Sequence, residues 1–216
     1  APEPVGRDFE WSNGMIRNTF CHIPGIGTIT EEKLWNAGIH DWDLFNKLPV
    51  IPLARRKVAS MSQVLEESSK QLATGNLHYF VQNLPVNQYW RLFPHFRDTI
   101  AYIDIETTGL ETWCNEITTI ALYDGLTVHT YVNGQNLDDF VQDIGRFKII
   151  VSYNGICFDV PFIEHYFRIK LDQVHIDLRY VLKSLGFSGG LKGCERQLGI
   201  DRGELSDVDG YYAVVL

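Results

Sequence analysis

Two short runs of this chain combine acids, glycines and apolar flanks in a pattern that can do chemistry. The first is IAYIDIETTGL, residues 100–110. Read as a strand, it places residues two apart on one face, so Asp104 and Glu106 project together and Ile103 and Ile105 project the other way. Two acids side by side at the end of an apolar strand repel each other and lose hydration. A cation between them removes that cost, and hard cations such as Mg2+ or Mn2+ take oxygen ligands while keeping several waters. The chemistry expected is metal-dependent phosphoryl transfer; the competing reading is a surface strand end with two solvated acids. The second run is SYNGICFDVPFI, residues 152–163. An apolar strand ends at a glycine turn and a helix is expected to begin at Asp159. Alone, Asp159 reads as an N-cap, with Pro161 in the first helical turn.

Both runs need a framework. Apolar alternation predicts strands over 99–105, 116–125 and 126–134, with Gly125 making the hairpin between the last two. A helix over 136–144, a central strand over 147–155 and a helix over 159–168 follow. A short strand over 173–177 then leads into helix 178–185, and a last helix is expected over 191–198. An antiparallel meander followed by alternating helices and strands is an α/β architecture, a mixed sheet flanked by helices. Before residue 96 the pattern is helical, with an amphipathic helix over 53–73 that ends at Gly75. The expected organisation is a small all-α region over 1–95 and an α/β domain over 96–216.

Bulk properties narrow the function classes. The net charge is −8; residues 1–98 are balanced, while residues 99–216 hold nine Lys/Arg against seventeen Asp/Glu. An acidic half argues against nucleic-acid binding through a broad basic face, although acids clustered around metals remain compatible with a nuclease. No apolar run approaches the ~20 residues of a membrane span, so no membrane partner is expected. Cys21, Cys114, Cys157 and Cys194 are scattered without a C-x-x-C pair, the pattern of reduced thiols in a cytoplasmic protein.

Residues 19–48 carry Ile23-Pro24-Gly25-Ile26-Gly27, then Thr30 as the expected N-cap and Gly38 as a stop signal. This stretch resembles the helix-hairpin-helix motif. That resemblance implies a hairpin at Gly25 and Gly27 whose backbone amides hold a nucleic-acid phosphate without reading sequence. The alternative is a hairpin that only packs two helices together. The acids Glu31, Glu32, Asp41 and Asp43 nearby count against binding.

DIETTGL, followed about 50 residues later by YNGxxFDxPFI, closely resembles the first two motifs of the DEDD exonuclease superfamily, whose fold is ribonuclease-H-like. HIDLRYVLKSLGFSGGLKGCERQLGI and the earlier WRLF are similar to one branch of it, the predicted ribonuclease-H-like 3′-5′ exonucleases. The resemblance spans roughly residues 88–216. It implies catalytic and metal-binding roles for Asp104, Glu106 and Asp159, with Asp104 bridging two Mg2+ or Mn2+ ions. Thr107, Gly109 and Asn154 would contact the substrate, the single-stranded 3′ end of a DNA or RNA. The superfamily also has a third motif, Tyr-x-x-x-Asp or His-x-x-x-x-Asp. Tyr211 and Tyr212 have no Asp after them before Leu216, so this chain is expected to stop short of that motif and to cleave poorly. Asp177 is a further candidate ligand, with an N-cap as its alternative role. The competing function is a non-catalytic nucleic-acid-binding or protein-interaction module that keeps the fold.

Overall fold

The structure is a computed structural model that describes residues 15–48, 50–201 and 203. The chain divides into two compact units, Ala1–Phe96 and Arg97–Leu216.

Among the described residues the first unit is helical: α1 (Met15–Asn18), α2 (Thr28–Asn36), α3 (Trp42–Lys47), α4 (Arg55–Ala73) and α5 (Leu77–Asn83), then a 3-10 helix over Val86–Leu92. Helix α2 begins earlier than its sequence suggests. Gly27 is its N-cap, and the amides of Thr30 and Glu31 both donate to the Gly27 carbonyl, so Thr30 lies inside the helix rather than capping it. Gly38 ends α2 with φ +84°, a conformation that a side chain disfavours. Helix α4 buries Met61, Leu65, Ser68 and Leu72, a stripe at helical spacing. Ser68 is the polar member of that stripe, and its hydroxyl meets His22 Nε2 at 2.9 Å. His22 lies against the Trp42 ring, and burial pushes its imidazole down to about 4. The first-turn Glu31 of α2 is also buried. It pairs with Arg91 of the 3-10 helix at 2.7 Å and accepts from Thr19 Oγ1 and the Phe20 amide.

The second unit is built on a five-stranded sheet of order β3-β2-β1-β4-β5. Its strands are β1 (Ile100–Thr107), β2 (Ile117–Tyr123), β3 (Val128–Val132), β4 (Ile149–Ser152) and β5 (Val174–Asp177). Strands β1 to β3 form the antiparallel meander, while β4 and β5 run parallel to β1. Helices α6 (Asp139–Ile144), α7 (Asp159–Phe167), α8 (Leu178–Ser184) and α9 (Gly190–Leu198) accompany the sheet. Ala101, Ile103 and Ile105 of β1 join Phe140 of α6 and Phe162 of α7 in one buried cluster. With that face of β1 committed to the core, strand alternation leaves Asp104 and Glu106 on the other. The mixed sheet flanked by helices is the α/β architecture that the order of elements implied.

Two details shape the end of β1. Its pairing with β4 stops at Tyr102↔Val151, so the strands part before the acids are reached. Its register with β2 shifts between Glu106 and Thr107, where Thr118 becomes the extra residue of a bulge. A bulge twists the strand locally and re-aims the side chains beside it.

Candidate functional site

Strands β1, β4 and β5 run parallel, so their carboxyl ends lie at one edge of the sheet, the edge at which open α/β sheets take ligands. The sequence-derived candidates of this unit gather there. Asp104 and Glu106 come from β1, Asn154 and Asp159 from the segment after β4, and Asp177 from the last position of β5.

Asp159 is 4% exposed. It is the first residue of α7, whose N-cap position is Phe158, so it does not stand at the cap that its sequence suggested. Oδ1 instead accepts the Ile105 amide of β1 at 3.2 Å. Because β1 has left β4 by then, this amide has no strand partner on that side, and the carboxylate bridges the gap. Burial, and then the Asp104 carboxylate, push Asp159 up from the ordinary 3.8 to about 7, with a smaller contribution from Asp177. The side chain of Asp104 reaches solvent, yet the surrounding protein removes enough hydration to raise it too. Asp104 and Asp159 thus form an electrostatically coupled pair brought together from positions far apart in the chain.

A pair of carboxylates that disfavour each other's charge is the donor set of a hard divalent cation. Mg2+ in particular is commonly held by one or two carboxylates, with waters and phosphate oxygens filling the shell. The Asp104–Asp159 pair fits one such ion. Among the described residues no three His, Cys, Asp or Glu side chains converge closely enough to hold a metal by themselves.

Asp177 has a different occupation. Its Oδ1 accepts the amides of Asn154 (2.8 Å) and Arg179 (2.9 Å), and its Oδ2 accepts the Ile156 amide (3.1 Å). It caps α8, the alternative that its sequence context allowed, and it also pins the turn after β4. Three amides use both oxygens, so Asp177 holds the turn after β4 and the start of α8 in place. Asp177→Asn puts an NH2 group against one of those amides. An expected loss of about 2 kcal/mol in urea unfolding, with stabilisation by added Mn2+ retained, separates this role from a ligand role.

The turn itself is tight. Asn154 holds φ +68°, and its side-chain oxygen accepts from the Arg179 guanidinium. A Cβ on Gly155 would fall 2.1 Å from Ser152 Oγ, which bonds His175 Nε2 at 2.7 Å. Gly109 is small for a similar reason, since a Cβ there would meet Asn115 Oδ1 at 2.5 Å. Thr107 Oγ1 donates to the Gly109 carbonyl at 2.7 Å. Thr107 and Gly109 therefore shape the loop that leaves β1. Arg179 went unnoticed in the sequence, because nothing local marks it; its meaning comes from the 25-residue separation across which it reaches Asn154.

The hairpin of the first unit is formed as a turn, with Gly25 at φ +74° and Lys57 Nζ donating to the Gly25 carbonyl at 3.0 Å. Of the four acids near it, Glu31 is paired with Arg91, Asp43 is paired with Arg17, and Asp41 caps α3. Those three are less repulsive to an anion than a count of acids implies.

The RNase_H superfamily model matches residues 101–216. No curated protein sequence matches the chain. Solved structures with a similar fold include the family B DNA polymerase of the hyperthermophilic archaeon Pyrobaculum calidifontis. It is 14% identical at TM-score 0.43 over 52% of this chain and 20% of that one. Brucella melitensis NrnC bound to pGG is 21% identical at TM-score 0.41, over 57% of this chain and 63% of that one. The zinc-bound ExoI–ssDNA complex of E. coli is 16% identical at TM-score 0.39, over 54% and 39%. The chain spans less than two thirds of the length of each of these three.

Proposed function

The chain belongs to the RNase H superfamily, and from that premise we propose that it is a metal-dependent 3′-5′ exonuclease acting on single-stranded ends of DNA or RNA. The observation that carries the reading is the coupled pair Asp104–Asp159 at the carboxyl end of β1. A Mg2+ or Mn2+ ion held there would neutralise charge on a phosphodiester and acidify an attacking water. Glu106, on the same strand face as Asp104, would orient that water. Burial and the Asp104 charge raise Asp159 in the absence of an ion, and a bound cation would hold it as the carboxylate. Hydrolysis joins the water oxygen to phosphorus and breaks the bond to the 3′ oxygen of the preceding nucleotide, which leaves protonated. Asp177 and Arg179 hold the turn bearing Asn154 against this edge. The helix-hairpin-helix-like turn at Gly25 and Gly27 would supply a sequence-independent phosphate contact.

The test is a 5′-labelled single-stranded oligonucleotide incubated with Mg2+ or Mn2+. Shortening from the 3′ end by the parent, lowered at least about 100-fold by Asp104→Ala, supports the reading. Binding without cleavage under either metal favours the non-catalytic alternative.

A further inference from the structure

A groove of about 570 Å3 lies in the second unit between the loop that leaves β1 and the last turn of α7. Trp113, Asn115 and Glu116 line one side, and His165, Tyr166 and Arg168 line the other. Three observations mark it as more than a surface crease. Trp113 is 74% exposed, although indole is among the side chains that folding normally covers. Its loop is nevertheless built firmly: the Asn115 amide and Nδ2 both donate to the Glu111 carbonyl, the Thr108 amide donates to Glu116, and the Glu116 amide donates to Thr108 Oγ1. Arg168 is the C-cap of α7 at φ +56°, the left-handed conformation in which helices commonly end. It forms no ion pair among the described residues, whereas Lys170 two positions on is neutralised by Glu164.

An exposed indole and a guanidinium without an ion pair among the described residues, lining one groove with an amide and a carboxylate, make a combination that suits a nucleotide. The ring stacks on a base of any identity, and the cation meets a phosphate. A chain with net charge −8 has little broad electrostatic attraction for nucleic acid, so its grip must come from local contacts of this kind. The placement also suits a strand threaded toward the carboxylates. Helix α7 carries Asp159 at its first residue and the groove at its last turn, and nine residues span about 13 Å.

We infer that this groove holds an internal nucleotide of single-stranded nucleic acid, upstream of the 3′ end, with the base stacked on Trp113 and a phosphate on Arg168. The inference deepens the exonuclease reading and rests on it for the direction of the strand.

The test measures binding of a fluorescently labelled single-stranded octanucleotide in EDTA, where a metal-dependent reaction cannot consume it. Trp113→Ala should weaken binding about tenfold, and Trp113→Phe should restore most of that loss. Arg168→Ala should reduce the slope of log K against log salt by about 0.7. Both side chains are exposed, so unchanged melting temperatures would confirm that the variants are folded. Failure of the parent to bind the octanucleotide, or unchanged affinity in Trp113→Ala, overturns the groove. Cleavage by the parent with unchanged octanucleotide affinity in Trp113→Ala removes the groove and leaves the exonuclease standing. The predicted affinity losses without any cleavage under Mn2+ keep the groove as a binding site and remove the exonuclease.

Discussion

Asp159→Asn should make the metal-free chain more stable and abolish its stabilisation by Mn2+. The first half follows from linkage. Asp159 is pushed up from 3.8 to about 7 by burial and by Asp104. Between those values the folded chain holds a proton that the unfolded chain releases, so this residue's contribution to stability is fully present below about pH 4 and lost as pH rises through about 7. At pH 8 the buried charge costs on the order of 2–4 kcal/mol. Asparagine keeps an oxygen for the Ile105 amide and removes the charge, so most of that cost disappears. The second half follows from the ion taking the proton's place. On the proposed function, a cation at 100 times its dissociation constant would stabilise the folded parent by about 2.7 kcal/mol, and the variant would lack one of its ligands. Urea midpoints at pH 5 and pH 8, in EDTA and in Mn2+, test both halves. A variant less stable than the parent at pH 8 in EDTA would refute the electrostatic account of the site.

Glu31→Ala should unfold the helical unit far more readily than any surface substitution. Glu31 and Arg91 are 1% and 8% exposed at the side chain and meet at 2.7 Å. Glu31 also accepts from Thr19 and Phe20, and Arg91 donates to Gln88 Oε1 while its guanidinium lies over the rings of Trp35 and Trp90. Removing the carboxylate strands a buried guanidinium, which costs about 3–5 kcal/mol. The paired replacement Glu31→Gln with Arg91→Met leaves no uncompensated charge and should cost less than Glu31→Ala alone. Fluorescence follows the transition directly, because Trp35, Trp42 and Trp90 all belong to this unit. A loss below about 1 kcal/mol in Glu31→Ala would mean that water reaches Arg91.

Periodicity and turn chemistry are local properties, and where they governed the outcome the sequence was readable. Alternation in IAYIDIET separated the buried isoleucines from Asp104 and Glu106 on β1. The stripe ending at Leu72 defined α4, and Gly38 and Gly75 adopted the left-handed stops that their positions required. The run of elements after residue 99 was sufficient to indicate a mixed α/β sheet. Errors stayed local as well. Thr30 had cap chemistry, but the Gly27 carbonyl captured the first helical bonds and α2 began at Thr28.

Partnership across the chain was not readable. Asp159 and Asp177 share the same local description, an acid where a helix begins. Asp177 became the cap because its oxygens meet three amides, whereas Asp159 reached across 54 residues to Ile105. Glu31 counted only as one of the acids near the hairpin until Arg91, 60 residues away, closed over it. Trp113 and Arg168 come from segments that no local rule connects. The sequence determined which residues carried charge and which faces were apolar, because both follow from residue type and period. Only the tertiary structure decided which acids were left to repel one another at the end of β1, because desolvation and coupling depend on what the fold packs around a group and not on its neighbours in the chain.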